Sequence, residues 1–254
     1  YSSYSSFIDI AEDPSSGKLV AVHQHASGSQ QGRAIVGTVS GDDITWGAVQ
    51  EYDPGGSYDN TVIWDPSTSK FLILYRDTTD GGKGTAKLAT RTNDTLSFTS
   101  YIQFSSGSYV RDIQVDTDGS GKFLICYKDE GNSNRWSAVV GTTSGNSISF
   151  GTPVEVSSTN NTGNYGGDVV FTGTANKFVV VYSDNTNNNT GYSRVATISG
   201  TTVSFGTETR IDTSSYVYNS STYQVTAVGH SLEMDADNGT VHFLTTSTLE
   251  GGSN

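Results

Sequence analysis

The sequence predicts an all-β fold, a β-propeller of four-stranded antiparallel blades that is five-bladed with the fifth blade incomplete. Three observations predict it: a phrase repeated about every 52 residues, a strand-forming composition, and turn signals between short apolar runs. Val and Ile number 23 and 12 against 9 Leu, and the chain has 29 Gly and 14 Tyr. This composition is typical of strands joined by tight turns and disfavours helices.

The repeat appears in two independent phrases. The first phrase begins at a lysine and continues as five mostly apolar residues. Its copies start at Lys18, Lys70, Lys122 and Lys177, so they lie 52, 52 and 55 residues apart. The second ends on an aromatic that advances by the same steps, at Trp46, Phe98, Phe150 and Phe205. We therefore interpret the chain 1–254 as one domain with repeats 1–54, 55–106, 107–158 and 159–214 and a partial repeat 215–254.

Each repeat contains four strand-like runs, which in the third repeat are 112–116, 123–127, 137–143 and 147–156. Short Pro, Gly, Asp and Ser turns connect the first run to the second and the third to the fourth. The second run is apolar at every position, which predicts a strand buried on both faces between neighbouring sheets. Cys126, the only cysteine, lies in such a run and is interpreted as a core residue.

The longer connections all fall on one side of the predicted blades, because loops after the second and fourth strands share one end of an up-and-down sheet. We call this end the long-loop face; its loops are 25–32, 77–84, 129–136 and 184–192, together with the segments between repeats. Variable loops on a rigid scaffold are where binding is expected. The candidate ligand-binding residues on it are Tyr58, Asp77, Tyr109, Asp129, Trp136, Tyr165, Asp184 and Tyr192.

These side chains suit sugars, since aromatic faces stack on pyranose C–H surfaces and carboxylates bind hydroxyls. A structural interpretation stays open beside the functional one. Asp77, Asp129 and Asp184 occupy one repeat position, where a carboxylate accepts hydrogen bonds from the following loop without any ligand. Tyr and Asn in β-loops are also common turn formers.

The charge of the chain limits its partners. A net charge of -12 disfavours binding to nucleic acid and to anionic membrane surfaces. We therefore expect no nucleic-acid partner and no insertion into a membrane. No cofactor is predicted. Segments at Asp116 and Asp118 and at Asp235 and Asp237 resemble fragments of calcium loops, but the preferred interpretation is a hairpin turn, with weak calcium binding as the alternative.

Enzymatic activity is not predicted. Carboxylates on the first strands could form an acid pair of a secreted five-bladed glycosidase, and the candidates are Asp9, Asp112, Asp168 and Glu233. No feature of the sequence distinguishes an acid from a base among them. No phosphate loop, nucleophile elbow or zinc cluster is present in the sequence.

The phrase Gly32-Arg-Ala-Ile-Val-Gly-Thr-Val-Ser-Gly and its copy Ser137-Ala-Val-Val-Gly-Thr-Thr-Ser-Gly resemble a particular repeat class. They are similar to propeller-type repeats of predicted tail-fibre and virion-surface proteins of marine phages and related viruses. The resemblance implies an extracellular or virion-surface adhesion or receptor-binding module, multimeric, whose partner is a surface glycan or a neighbouring virion subunit. A purely structural virion or filament component is the first alternative, and the glycosidase is the second.

Overall fold

The computed structural model describes residues 5–25, 29–105, 107, 109–158, 166–184 and 190–211, and the backbone of three further strands within 215–249. Tyr165 and Asp237, and the side chains of Glu233 and Asp235, lie outside the described residues. No helix of the described part is long and apolar enough to cross a bilayer.

The strands form antiparallel sheets that follow the sequence repeats. The first sheet contains β1 (Ser5–Asp13), β2 (Lys18–His25), β3 (Gln31–Ser40), β4 (Asp43–Trp46) and β5 (Gln50–Asp53). The second contains β6 (Ser57–Asp65), β7 (Lys70–Asp77), β8 (Lys83–Thr92), β9 (Thr95–Phe98) and β10 (Ile102–Gln103).

The third and fourth sheets repeat this order. The third contains β11 (Val110–Thr117), β12 (Lys122–Asp129), β13 (Arg135–Ser144), β14 (Ser147–Phe150) and β15 (Val154–Glu155). The fourth contains β16 (Gly167–Phe171), β17 (Lys177–Asp184), β18 (Thr190–Ser199), β19 (Thr202–Phe205) and β20 (Thr209–Arg210). A fifth sheet has three described strands, β21 (Ser215–Tyr218), β22 (Ser221–Asp235) and β23 (Thr240–Leu249).

This architecture confirms the predicted β-propeller of four-stranded antiparallel blades, with one difference in the fourth strand. That strand is split in two, and both parts pair with the third strand of the same sheet. At the break in the third sheet, a Cβ on Gly151 would lie 1.8 Å from the carbonyl oxygen of Thr201. Glycine is required there because the turn of the next blade approaches the backbone directly.

The first strand of each repeat is the inner strand, since β1, β6, β11 and β16 pack against one another in succession. Carboxylates on the inner strands connect neighbouring blades. Asp9 accepts hydrogen bonds from Thr61 Oγ1 at 2.7 Å and from the backbone N–H of Val62 at 2.8 Å. At the far end of the same strand, Asp13 forms an ion pair with Arg91 of the second sheet at 2.8 Å.

Hydrophobic clusters fill the spaces between consecutive sheets. Both faces of the second strand are buried in the second and third sheets, which explains why its central five residues, 71–75 and 123–127, are all apolar or aromatic. Phe71 and Ile73 pack toward the first sheet, whereas Leu72 and Leu74 pack toward the third. The core of each blade is therefore the interface with its neighbours.

Cys126 lies in the cluster between the third and fourth sheets, where it is fully buried and burial raises the pKa of its thiol. We expect no reaction with a disulfide reagent such as DTNB in native buffer and complete reaction in denaturant, because only an exposed thiolate attacks the reagent. A Ser120→Cys variant, on an exposed turn, provides the reactive control. Native-state labelling of Cys126 at the control rate would contradict the packing.

Candidate functional site

The candidate site lies at the long-loop face, where each inner strand begins and the second strand ends. Strand register places Tyr58 opposite Arg76 and Arg111 opposite Lys128. Backbone bonds attach the loop of one repeat to the inner strand of the next. The Val110 N–H donates to the Gly82 carbonyl at 2.9 Å, as the Ser57 N–H does to Gln30 in the preceding repeat.

A β-bulge interrupts each of the first three inner strands at this end. Within each bulge one non-glycine residue has a left-handed backbone, with φ of 49° at Phe7, 49° at Asp59 and 51° at Asp112. Such residues cost on the order of 1 kcal/mol each and cluster at functional sites. The bulge redirects side chains. In the second and third repeats the residue with the left-handed backbone is an aspartate, Asp59 and Asp112 respectively.

Aromatic and cationic side chains alternate across three blades, and we call Phe7, Tyr58, Arg76, Tyr109 and Arg111 the aromatic ladder. The rings of Phe7 and Tyr58 are 5.4 Å apart in an edge-on arrangement. The Arg76 guanidinium lies 4.7 Å from the Tyr58 ring and 4.5 Å from the Tyr109 ring, and that of Arg111 lies 5.1 Å from Tyr109. Both tyrosines are half-buried, so part of each remains accessible to a ligand.

Carboxylates balance the cations of the ladder. Arg76 Nη2 lies 3.2 Å from Asp59 Oδ2, and both side chains are largely buried. The backbone N–H of Asp112 approaches Asp59 Oδ1 at 3.4 Å. Arg111 is paired at the rim, where its Nε donates to Glu130 Oε1.

The repeat position of Arg76 is occupied by a different buried polar residue in each blade, namely Gln24, Arg76, Lys128 and Ser183. Gln24 donates to the Ser57 carbonyl at 2.7 Å, whereas Arg76 Nε and Nη1 have no hydrogen-bond partner among the residues that the structure describes. Buried N–H groups of an arginine are costly to leave unpaired, so they mark a place where a ligand or water is expected.

The sequence analysis does not identify Arg76 and Lys128 as site residues, although their position in the repeat could have indicated them. A cation follows the second-strand tyrosine only in the second and third repeats.

Asp112 gives the site a pH dependence. Burial, followed by the nearby charge of Asp59, raises its pKa to about 6. Because the folded state holds this proton more tightly than the unfolded chain, the associated stability is complete below about pH 4 and is lost as the pH rises through 6. We expect the free energy of unfolding of Asp112→Asn, relative to that of the wild type, to rise by about 1 to 3 kcal/mol between pH 4 and pH 7, because the neutral side chain does not ionise. Asn also tolerates the left-handed backbone.

Urea unfolding across this pH range measures that gain. Asp42→Asn, on an exposed turn, is the matched control. A difference between Asp112→Asn and wild type that does not change with pH would refute the assignment.

Two of the three predicted aspartates at the strand ends, Asp77 and Asp129, are turn caps. Asp77 Oδ1 accepts the N–H groups of Thr79 at 2.9 Å and Asp80 at 3.3 Å, at the start of a 3-10 turn. Asp129 caps the equivalent turn through Asn132 N–H at 3.2 Å. Asp184 is buried at the same repeat position. The structure thus supports the structural interpretation for Asp77 and Asp129.

Among the predicted aromatics, Tyr58 and Tyr109 belong to the ladder, and Tyr192 is half-buried and stacks on Tyr182 at 6.2 Å. The expectation that Trp136 lies exposed on the long-loop face is wrong, because its indole is fully buried. It packs into the cluster between the third and fourth sheets, where a Cβ on Gly167 would lie 2.7 Å from the indole Cη2.

Of the candidate acids whose side chains the structure describes, only Asp112 lies in the ladder region. Asp9 is engaged in the contact between blades, and Asp168 Oδ1 accepts the N–H of Val169 at 2.7 Å. Glu233 lies beyond the side chains that the structure describes.

The candidate calcium residues in the third repeat serve the local backbone. Asp116 Oδ2 accepts the Phe171 N–H at 2.6 Å, and Asp118 Oδ1 accepts the Ser120 N–H at 2.8 Å. Asp118 also borders an open cavity of about 430 Å³ at the tight-turn end of the blades. Across the described residues no group of three or more His, Cys, Asp or Glu side chains is arranged to hold a metal ion. Weak calcium binding stays the alternative to the preferred hairpin-turn interpretation.

Comparison with known proteins finds no matching family model and no matching curated protein. Among solved structures, BP39L lectin from Burkholderia pseudomallei has a TM-score of 0.60 at 11% identity, over 96% of this chain and 68% of that one. An arginine triple mutant of AofleA from Arthrobotrys oligospora has a TM-score of 0.55 at 10% identity, over 88% and 66%. A thermostable family-43 glycoside hydrolase has a TM-score of 0.47 at 14% identity, over 96% and 83%.

The chain therefore spans just under two thirds of the length of AofleA and slightly more than two thirds of the length of BP39L lectin. The likeness to these two structures is one of fold.

Proposed function

We propose that this chain is a non-enzymatic carbohydrate-binding module that serves adhesion or receptor recognition through its long-loop face. The observation that carries the proposal is the aromatic ladder, in which two half-buried tyrosines, the buried Arg76 between them and the half-buried Arg111 form one continuous strip. The repeat resemblance described above supports an extracellular or virion-surface location for this module. The shared fold with a lectin agrees with this proposal.

The ladder combines the two kinds of contact that sugars require. Tyrosine faces stack on the C–H surface of a pyranose ring, and charged groups beside them exchange hydrogen bonds with hydroxyls. Arg76 supplies unpartnered N–H donors, and Glu130 and Asp59 supply carboxylate acceptors. The strip extends from the first blade to the third, so it suits an oligosaccharide better than one sugar unit.

A glycan array with the intact chain, followed by calorimetry on any binder, tests the proposal. We expect Tyr58→Ala and Arg111→Ala each to weaken binding by about tenfold or more, since stacking and charged contacts contribute on the order of 1 to 2 kcal/mol. Tyr101→Ala is the matched control, because its ring is exposed outside the ladder. No binding across the array, or equal loss in the control, would contradict the proposal.

A glycosidase is the second candidate, favoured by one observation. Burial raises the pKa of both neighbouring carboxyl groups, that of Asp112 to about 6, and Arg76 beside Asp59 opposes the rise there, so Asp112 is the group placed to act as a general acid. Incubation of a bound oligosaccharide with the protein at pH 5 to 7, with release of reducing ends as the readout, separates the candidates. Release that Asp112→Asn abolishes would replace the binding proposal with the enzymatic one.

A further inference from the structure

Arginine and lysine side chains reach the start of the inner strand in the second and third sheets. The cross-strand pair at this point contains Arg76 in the second sheet and consists of Arg111 and Lys128 in the third. In the first sheet the equivalent pair is uncharged, and Ser6 Oγ donates to Gln24 Oε1 at 2.7 Å. The cations therefore belong to one place at the boundary of two blades rather than to every repeat.

Each of these cations lies near a carboxylate, and we call the six groups the charge cluster. They are Arg76, Arg111, Lys128, Asp59, Asp112 and Glu130. Arg76 forms its ion pair with Asp59, and Arg111 forms its own with Glu130. Burial lowers the pKa of Lys128, and the neighbouring charge of Asp112 is the strongest of those that oppose this effect. With all six groups ionised the cluster is neutral, although the chain as a whole carries a net charge of -12.

A charged ligand would disturb this balance at a place that is largely closed to water. The side chains of Arg76 and Asp59 are only 4% and 12% exposed. An unbalanced charge beside largely buried groups costs free energy, because little solvent is present to compensate it. An uncharged ligand leaves the cluster neutral.

The unpartnered atoms of the ion pair between Arg76 and Asp59 favour a hydroxyl group. Among the described residues, Arg76 Nε and Nη1 and Asp59 Oδ2 have no hydrogen-bond partner. A carboxylate only accepts hydrogen bonds and an ammonium group only donates them, whereas a hydroxyl does both. A sugar that stacks on Tyr58 or Tyr109 brings its hydroxyl groups next to this pair.

The tyrosine rings of the ladder give a cationic ligand no advantage. The guanidinium of Arg76 already lies 4.7 Å from the Tyr58 ring and 4.5 Å from the Tyr109 ring, and that of Arg111 lies 5.1 Å from Tyr109. An ammonium group beside these rings would meet a like charge, which opposes the cation–π attraction.

We propose that the site selects uncharged saccharides and rejects those that carry a carboxylate or an ammonium group near the charge cluster. This inference rests on the proposed carbohydrate binding and names the class of sugar that the same site takes. Its basis is the balance of the six charges together with donors and an acceptor that one hydroxyl-bearing ligand can satisfy.

Matched tetrasaccharides test the selection by calorimetry on the intact chain at about pH 7.5, where Asp112 is ionised. Neutral tetramers of glucose, mannose and galactose are each compared with the tetramers of the corresponding uronic acid and 2-amino sugar. We expect the neutral tetramer that binds best to bind at least about tenfold more tightly than its two charged counterparts. Its affinity should not change between low salt and about 0.5 M NaCl, since no net charge is brought together.

Glu130→Gln links the selection to the cluster, because it leaves one positive charge in excess. We expect it to raise the affinity for the uronate relative to the neutral tetramer by about fivefold or more. Glu155→Gln is the matched control, since it removes a carboxylate from an equally exposed pair with Arg135 outside the cluster, and the ratio should stay as in the wild type. Both affinities are measured on the same variant, so a general loss of folded protein does not alter their ratio.

The outcomes separate this inference from the proposed function. A uronate or amino tetramer that binds as tightly as its neutral counterpart would overturn the selection and leave carbohydrate binding intact. An unchanged ratio in Glu130→Gln would show that the cluster does not set the preference. Absence of binding by every tetramer and across the glycan array would contradict the proposed function itself, and the selection with it.

Discussion

Arg76→Leu is expected to lower the free energy of unfolding by about 3 to 5 kcal/mol, because it leaves the largely buried Asp59 carboxylate without its counter-charge. The leucine fills part of the space between the two tyrosine rings but offers no charge and no cation–π contact. Urea unfolding at pH 7 measures the loss.

Two comparison variants separate the buried charge from general packing. Arg135→Leu removes a partly exposed pair with Glu155 and is expected to cost less than about 1 kcal/mol. Adding Asp59→Asn to Arg76→Leu is expected to recover part of the loss, since the orphaned charge disappears. A loss in Arg76→Leu no larger than that in Arg135→Leu would show that the ion pair contributes little.

Trp136→Ala is expected to destabilise the protein by about 3 to 5 kcal/mol, because it empties a fully buried volume between the third and fourth sheets. Thermal unfolding followed by near-ultraviolet circular dichroism provides the measurement. Trp136→Phe should cost less, because it refills part of the cavity, and Tyr101→Ala should change stability by less than about 1 kcal/mol. A fully stable Trp136→Ala variant that binds glycan more weakly would return this residue to the binding surface.

The blade framework was predictable from the sequence because its determinants repeat. The continuous apolar run within Lys70 to Asp77 and the turns on either side recur at a fixed period, so register and burial of the second strand follow directly. The split of the fourth strand was not predictable. It depends on the close approach of the next blade at Gly151, a contact that no single repeat encodes.

The site was only partly predictable, because it combines residues from three blades. Tyr58 and Tyr109 were identifiable as aromatics in long loops, but the burial of Arg76 between their rings depends on how adjacent blades are inclined. Trp136 was wrongly predicted to be a ligand-binding residue for the same reason. A loop-adjacent aromatic at the start of a third strand is turned into the interface rather than toward solvent. The left-handed backbone of Asp59 and Asp112 leaves no mark in the sequence, since neither is glycine.

The arrangement of the hydrophobic clusters between sheets, rather than within them, has a consequence for cooperativity. Each blade is stabilised by its nearest neighbours, so the free energy is close to a sum of repeat and interface terms along the chain. The second and third sheets have an interface on either side, whereas the first has one uncovered face. Among the four sheets whose side chains are described, we therefore expect opening to begin at the first, and amide hydrogen exchange to be slowest in the second strands of the middle blades, at β7 and β12. The aromatic ladder, which runs from the first sheet to the third, thus connects the sheet expected to open first among these four to one of those expected to open last.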